Sequence, residues 1–182
     1  MKYFKKLEGE KIYLAPMMVE DAPIFCKWLN DYKVTDGINK TKDVVTLENE
    51  IEYIETMNKK GAYAFSIVKK EGDILIGSCS FNKISFPNRC AEIGILIGEE
   101  ENRGKGYGTD ALKTLIDYGF NELCLHSIQL GVYDFNEKAI GCYKKIGFKE
   151  TGRNREIRWY NGKWHDGITM DILENEFNKE KL

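Results

Sequence analysis

The sequence predicts a mixed α/β (α+β) chain in which a mostly antiparallel sheet of seven strands, with one central parallel pair, packs with about four helices. Three observations carry that prediction. Strand-like runs at 63–69, 74–82 and 90–98 are separated by the turn dipeptides Gly72-Asp73 and Pro87-Asn88, which makes an antiparallel meander. A helical pattern over 108–123 joins the third run to another strand at 127–133, and two neighbouring strands joined through a helix must run parallel. Late in the chain, Asn161-Gly162 sits between the strand-like runs 156–160 and 164–173, a type I′ hairpin signal.

The remaining elements follow in order. Residues 11–17 read as a strand, with Ile12 and Leu14 on one face and Tyr13 on the other. Residues 20–30 read as a helix with Pro23 in its first turn and an apolar stripe of Ile24, Phe25, Trp28 and Leu29. A second helix spans 46–60: Thr46 is its N-cap, Leu47, Ile51, Ile54 and Met57 recur at helical spacing, and Gly61 stops it. In the helix over 108–123, Ala111, Leu112, Leu115, Ile116 and Phe120 face inward. A short helix over 136–146 ends before Phe148, which opens the next strand. No linker, repeat or low-complexity tract interrupts residues 1–182, so a single domain is expected.

Composition narrows the function. The formal net charge of −2 argues against nucleic acid as the main partner. The five cysteines (Cys26, Cys79, Cys90, Cys124, Cys142) are odd in number and widely spaced, as expected of reduced thiols in a cytoplasmic protein. His126 and His165 lack a second ligand at metal spacing, so no metal is expected. The N-terminus has no signal-peptide pattern, and no apolar run approaches the roughly 18 residues that cross a bilayer, so no membrane role is expected.

The segment Arg103-Gly104-Lys105-Gly106-Tyr107-Gly108-Thr109 places three glycines at alternate positions where a helix begins. Glycine admits positive φ and close approach of a ligand, and the first-turn amides of a helix form an anion site, here flanked by Arg103 and Lys105. A pyrophosphate is the natural guest. A P-loop is excluded because Gly106 follows Gly104-Lys105 and Glu99 stands at the first glycine position. A dinucleotide fingerprint fails because Thr109 replaces its third glycine.

In its context, after a Glu-containing strand and before an amphipathic helix, Arg103-x-x-Gly106-x-Gly108 resembles the acetyl-CoA signature of the GNAT superfamily of N-acetyltransferases. The run from Asn136 through Ala139, Tyr143 and Lys145 to Gly147-Phe148 resembles that family's second motif. The Rim-type branch, with ribosomal-protein N-terminal and spermidine acetyltransferases, is the most similar, and the hairpin Tyr160-Asn161-Gly162-Lys163 also resembles it. The resemblance implies a GNAT fold whose central parallel pair splays to admit acetyl-CoA. It implies main-chain contacts from Ile95, Leu96 and Ile97 to pantetheine, and a pyrophosphate cradle from Arg103 to Thr109. Asn136 and its motif neighbours Ala139, Tyr143 and Lys145 would also meet the coenzyme. A homodimer is a further implication of the resemblance.

Acetyl transfer to a primary amine needs a base for the ammonium, a donor for the oxyanion and an acid for the thiolate. No Cys-His or Ser-His arrangement calls for a covalent intermediate. By the resemblance Tyr143 is the general acid; a core tyrosine with a satisfied hydroxyl is the alternative. Glu92 is the candidate base, because a mid-strand carboxylate beside apolar neighbours suits one, and a salt-bridged surface glutamate is its alternative. The oxyanion donor is a backbone N–H near Leu96. Gly94 reads equally as a bulge or as a small packing residue, Asn136 also as an N-cap, and Glu99 to Glu101 as a solvated turn. The aromatics Trp159, Tyr160 and Trp164 with His165 read as core, dimer interface or acceptor wall. Asp31 and Asp36 could draw in a cationic acceptor, either a small polyamine or amino-sugar amine or a peptide N-terminus. Two competing readings remain open: a non-catalytic acetyl-CoA-binding sensor, which would bind without turnover, and an ATP- or NAD-dependent enzyme, which those nucleotides would stabilise.

Overall fold

A computed structural model describes residues 2–38 and 43–177. It contains eight strands and six α-helical segments among those residues, and they fall into two compact units. Of the described residues, those up to 81 together with 94–115 form the first unit, and 82–93 together with those from 116 onward form the second. Two elements pass from one unit to the other along the chain: the fifth strand between Ile93 and Gly94, and the fourth helix between Leu115 and Ile116.

In the first unit, β1 (Leu7–Glu8), β2 (Ile12–Pro16), β3 (Ala64–Lys69) and β4 (Ile74–Phe81) form consecutive antiparallel neighbours. The register runs Leu7↔Leu14, Leu14↔Ile67 and Ser66↔Ser78, with one irregularity between Ile67 and Val68. The second half of β5 (Cys90–Ile97) continues this edge, its end held by the Gly98 N–H donating to the Ile76 carbonyl at 3.0 Å. The two-residue β1 was not expected. A strand that short carries no alternation to read, and it raises the strand total from seven to eight.

Helix α1 (Ala22–Leu29) follows a 3-10 turn at Val19–Asp21, and α3 (Leu47–Lys59) lies later in the same unit. Phe25, Trp28 and Ile54 are buried with Tyr13, Ala15, Val68 and Leu75 in one cluster, while Ile51 and Met57 pack on its margin. Each such large side chain removed from water stabilises the fold by about 1.5–3 kcal/mol. Ile24, placed by periodicity on the apolar stripe of α1, is exposed instead, as is Leu47 at the first turn of α3. Thr46 caps α3 as expected, its hydroxyl accepting from the Asn49 N–H at 3.2 Å, and Gly61 follows at φ +61°. A four-residue α2 (Tyr32–Thr35) lies between α1 and α3, with Asp31 as its cap.

In the second unit the first half of β5 pairs in parallel with β6 (Ser127–Tyr133), through Cys90↔Ser127, Ala91↔Ile128 and Glu92↔Gln129. This is the parallel pair that the intervening helix required, and every other described pairing is antiparallel. On its other side β6 pairs along its whole length with β8 (Lys163–Leu173), and β7 (Lys149–Tyr160) lies outside β8. Strict alternation buries Ile128, Leu130 and Val132 on β6, as it buries Ile168, Met170 and Ile172 on β8. The hairpin between β7 and β8 turns at Asn161 and Gly162, at φ +48° and +77°, the two left-handed residues that a type I′ turn demands.

Helix α4 (Tyr107–Asn121) has Ala111, Leu112 and Leu115 buried in its part that belongs to the first unit, and Ile116 and Phe120 buried in its part that belongs to the second. Helix α5 (Glu137–Ile146) ends at Gly147, φ +113°, where the Phe148 N–H returns to the Tyr143 carbonyl at 3.0 Å and the Phe148 ring is buried. A short α6 (Glu174–Phe177) closes the described chain, with Phe177 against Phe120 at 5.8 Å between ring centres.

Candidate functional site

The residues singled out by the sequence divide between the two units, and each set is built within its own. In the first unit the glycine turn takes the shape its sequence predicted. Gly104 and Gly106 lie at φ +72° and +88°, a region open to glycine at no steric cost. The Asp110 N–H donates to the Gly106 carbonyl at 3.0 Å, so Gly106 is the N-cap of α4. The amides of Tyr107 and Gly108 therefore belong to the first turn of the helix, where the regular intrahelical ladder supplies no acceptor. A Cβ at Gly108 would touch the side chains of Ile97 and Ile95 at 3.7 and 3.8 Å, so the turn lies directly on the strand residues expected to meet pantetheine.

Leu96 lies in the tightest approach of the unit. An added Cβ at Gly77 on β4 would stand 2.0 Å from the Leu96 carbonyl oxygen and 3.2 Å from the Ile97 Cα. Gly77 is thus the residue that lets the backbone at Leu96 come so close, and nothing in its local sequence distinguishes it from an ordinary strand glycine.

Arg103 does not present a free guanidinium to the turn. Its Nε donates to the Ile97 carbonyl at 3.2 Å, Nη2 to the Gly98 carbonyl at 2.9 Å and Nη1 to the Lys33 carbonyl at 3.0 Å. Three of its five donors hold backbone in place, so its contribution here is to shape the strand end and fix α2 beside it. Lys105 keeps an exposed side chain, while its carbonyl accepts from the Lys11 ammonium at 3.1 Å.

Lys11 was not among the residues singled out. It precedes β2, 94 residues from Lys105, and its Nζ lies 3.3 Å from where a Cβ on Gly106 would stand. Asp110 holds it there. The two oxygens of that carboxylate accept from three successive amides, Glu10 at 3.0 Å, Lys11 at 2.7 Å and Ile12 at 3.1 Å. The turn before β2 is thereby bolted to the first turn of α4, and Gly9 has room for no side chain, since its Cβ would fall 2.7 Å from Asp110.

Glu99 is likewise no solvated turn. It accepts from the Trp28 indole at 3.0 Å and from Lys27 at 2.7 Å, and these two donors hold its carboxyl below the usual range. The Trp28 ring covers Gly98, where a Cβ would meet it at 2.1 Å. Glu100 and Glu101 are exposed, as expected.

In the second unit, Asn136 caps α5 through its side-chain oxygen, which accepts from the Ala139 N–H at 3.2 Å. Lys145 is exposed in the last turn of that helix. Tyr143 is half-buried, its ring edge-on to Phe148 at 6.0 Å, and its hydroxyl makes no hydrogen bond to the described residues. Burial, reinforced by Cys142, pushes its phenol up to about 12. Glu92 is half-buried and ion-paired with Lys83 at 3.1 Å, and its carbonyl accepts from the Asn82 N–H at 2.6 Å.

The late aromatics separate by strand alternation. Trp159 and Trp164, opposite each other in the hairpin, are both more than half exposed and meet edge to face at 5.3 Å. Tyr160 and the buried His165 point the other way, where Phe135 stacks on Tyr160 at 4.5 Å and meets His165 at 4.8 Å. The Nδ1 of His165 lies 2.6 Å from Asp134. Burial pushes the Asp134 carboxyl up, but the Asp166 N–H and His165 outweigh it, and the net shift is downward.

Among the described residues no group of three or more His, Cys, Asp or Glu is placed to hold a metal ion, and no helix is long and apolar enough to cross a membrane. All five cysteines are free thiols.

Comparison with known proteins matches this arrangement to one family of sequences. A family described as "Acetyltransferase (GNAT) domain" matches residues 11–149. The "Uncharacterized N-acetyltransferase p20" of Bacillus licheniformis is 34% identical over 174 residues, which cover 94% of this chain and 97% of that protein. The spermidine N(1)-acetyltransferase of Vibrio cholerae is 36% identical over 103 residues, 57% of this chain and 59% of that one. A crystal structure of spermidine N-acetyltransferase from Vibrio cholerae, in complex with CoA and spermine, superposes with a TM-score of 0.81 at 25% identity, covering 92% of this chain and 98% of that one.

Proposed function

The chain belongs to the GNAT family of acetyltransferases, and from that premise we propose that it moves the acetyl group of acetyl-CoA onto the primary amine of a small polyamine, an amino sugar or a peptide N-terminus. The observation that carries the reading is the glycine turn. Two left-handed glycines bring the first turn of α4 onto Ile95 and Ile97, and the space above Gly106 is one that any side chain would fill. Those residues fit a diphosphate. Five free thiols accord with a cytoplasmic setting.

Acetyl-CoA supplies an acyl carbon activated as a thioester. The amine nitrogen bonds to that carbon as the carbon–sulfur bond breaks, and the ammonium proton must leave first. Glu92 is the proposed acceptor of that proton, through a water, with Lys83 beside it. The backbone N–H groups near Leu96 are the proposed oxyanion donors. Tyr143 is the proposed partner of the departing sulfur. With its phenol at about 12, full proton transfer to a thiolate of ordinary thiol acidity near 8.5 costs roughly 4–5 kcal/mol. Tyr143 therefore stabilises the sulfur as a hydrogen-bond donor, and solvent completes the protonation.

Two measurements test this. Purified protein with acetyl-CoA and a panel holding spermidine, glucosamine and a short peptide with a free N-terminus should release thiol with at least one acceptor; binding without turnover on every amine would make the chain a coenzyme sensor. Tyr143→Phe should lower kcat roughly 100-fold while coenzyme affinity stays within a few-fold. The same variant has a signature in stability. A phenol raised from 10 keeps its proton in the folded state after the unfolded chain has lost it, so stability is complete below about pH 10 and falls as pH climbs toward about 12. Tyr143 should account for about 1–3 kcal/mol of that alkaline loss. Other raised phenols, Tyr13 among them, act in parent and variant alike, so the difference between their denaturation curves isolates Tyr143. Equal slopes above pH 10 would remove the buried phenol from the account.

A further inference from the structure

Beside the glycine turn the first unit holds a cleft of about 480 Å³ lined by Lys11, Lys69, Lys70, Glu71, Lys105 and Tyr107. Lys70 is paired with Glu8 at 2.9 Å, but Lys11, Lys69 and Lys105 have no carboxylate partner among the described residues. Three cations against Glu71 leave the cleft positive in a chain whose formal net charge is −2. Its composition repels an amine acceptor and invites an anion. One of these cations is also held in position. Asp110 fixes the Lys11 backbone through three successive amides, and the Lys11 ammonium is tied to the Lys105 carbonyl.

Two of the lining residues, Lys105 and Tyr107, belong to the turn itself, so the cleft opens directly on the first-turn amides of α4. A diphosphate seated on those amides carries one substituent on each side, and this opening is next to the turn for one of them. In coenzyme A one of the two is a ribose, and its 3′ oxygen carries a phosphate monoester, a near-dianion at neutral pH that needs cationic neighbours. The Tyr107 ring supplies an apolar wall for the sugar.

We propose that Lys11 and Lys69, two lysines outside the glycine motif, form with Lys105 a subsite for the 3′-phosphate of coenzyme A. The proposal rests on the acetyl-CoA reading above and deepens it: these lysines make the protein distinguish coenzyme A from its analogue lacking that phosphate.

Calorimetric titration with coenzyme A and with dephospho-coenzyme A separates the two claims. The parent should bind coenzyme A at least roughly tenfold more tightly, the size of one or two charge-assisted contacts on a part-exposed surface. That preference should shrink as salt rises from 50 to 500 mM. The double variant Lys11→Met with Lys69→Met should lose the preference, with its affinity for coenzyme A falling to that for dephospho-coenzyme A and the latter changing less than twofold. Lys11 is exposed and Lys69 part-exposed at the end of β3, so the variant should keep the parent's circular dichroism, and Lys11→Arg should keep most of the preference.

Equal affinity of the parent for the two ligands would overturn the subsite and leave the acetyl-CoA reading standing, as would a double variant that weakened both ligands alike. A parent that bound neither would sink both. Inorganic phosphate, added as a separate arm, should compete with coenzyme A and spare dephospho-coenzyme A; phosphate binding that left coenzyme A untouched would assign the cleft to a free anion and overturn the proposal.

Discussion

Gly106→Val should abolish measurable binding of coenzyme A, a loss of at least 100-fold, while leaving a folded protein. Three effects converge there. The position lies at φ +88°, where a β-branched residue is a steric outlier. Its side chain would enter the space above the first-turn amides, and it would press on the Lys11 ammonium, 3.3 Å from the new Cβ. The strain costs about 1–2 kcal/mol of stability, a few degrees in melting temperature for a chain of this size. Gly61→Val is the control, because Gly61 has a similar left-handed conformation, φ +61°, with nothing within 4 Å of its Cβ position. It should show the same loss of stability with coenzyme affinity intact. If Gly106→Val bound coenzyme A as the parent does, the acetyltransferase site would have to lie elsewhere.

Gly77→Ala should be the most destabilising single-methyl substitution in the first unit, at about 3–5 kcal/mol. The added carbon would overlap the Leu96 carbonyl oxygen at 2.0 Å, with the Leu96 carbonyl carbon and the Ile97 Cα close behind at 3.1 and 3.2 Å. All three obstacles are backbone, so no rotamer change relieves them and the end of β5 must move away from β4. Denaturant titration reads the loss directly. Whatever fraction folds should also bind coenzyme A poorly, since the displaced peptides are those of Leu96 and Ile97. A midpoint within experimental scatter of the parent's would show that the two strands leave room for a methyl group between Gly77 and Leu96.

Legibility in the sequence followed the range of the interaction. Elements set by local chemistry were readable: the β6 alternation from Ser127 to Tyr133, the caps at Thr46 and Asn136, the Asn161-Gly162 turn and the glycine turn at 104–108. Elements too short to carry a period were not, which is why β1, α2 and α6 went unseen. Strand β7 was readable only in pieces, because irregularities near Thr151 and between Asn154 and Arg158, with Glu156 at φ +54°, break its alternation twice. In the candidate site the same divide recurs. The turn's shape was legible from its glycines, but the partners of Arg103, Glu99 and Lys105 lie five to 94 residues away, and nothing local marks them. The place of Arg103 beside the diphosphate came from the motif, and that of Glu99 in solvent from residue type. The structure puts three of the Arg103 donors on carbonyl groups and gives Glu99 an indole and an ammonium.

The carboxylate of Asp110 has an electrostatic consequence for anion capture. A full negative charge in the first helical turn favours the helix itself but would repel a phosphate arriving at the same end. By taking hydrogen bonds from Glu10, Lys11 and Ile12, that charge is directed into the preceding strand turn, and the Lys11 ammonium stands 3.3 Å from where a Gly106 Cβ would lie. One acidic residue thereby converts what would be a barrier at the mouth of the helix into the mooring for an attractive charge.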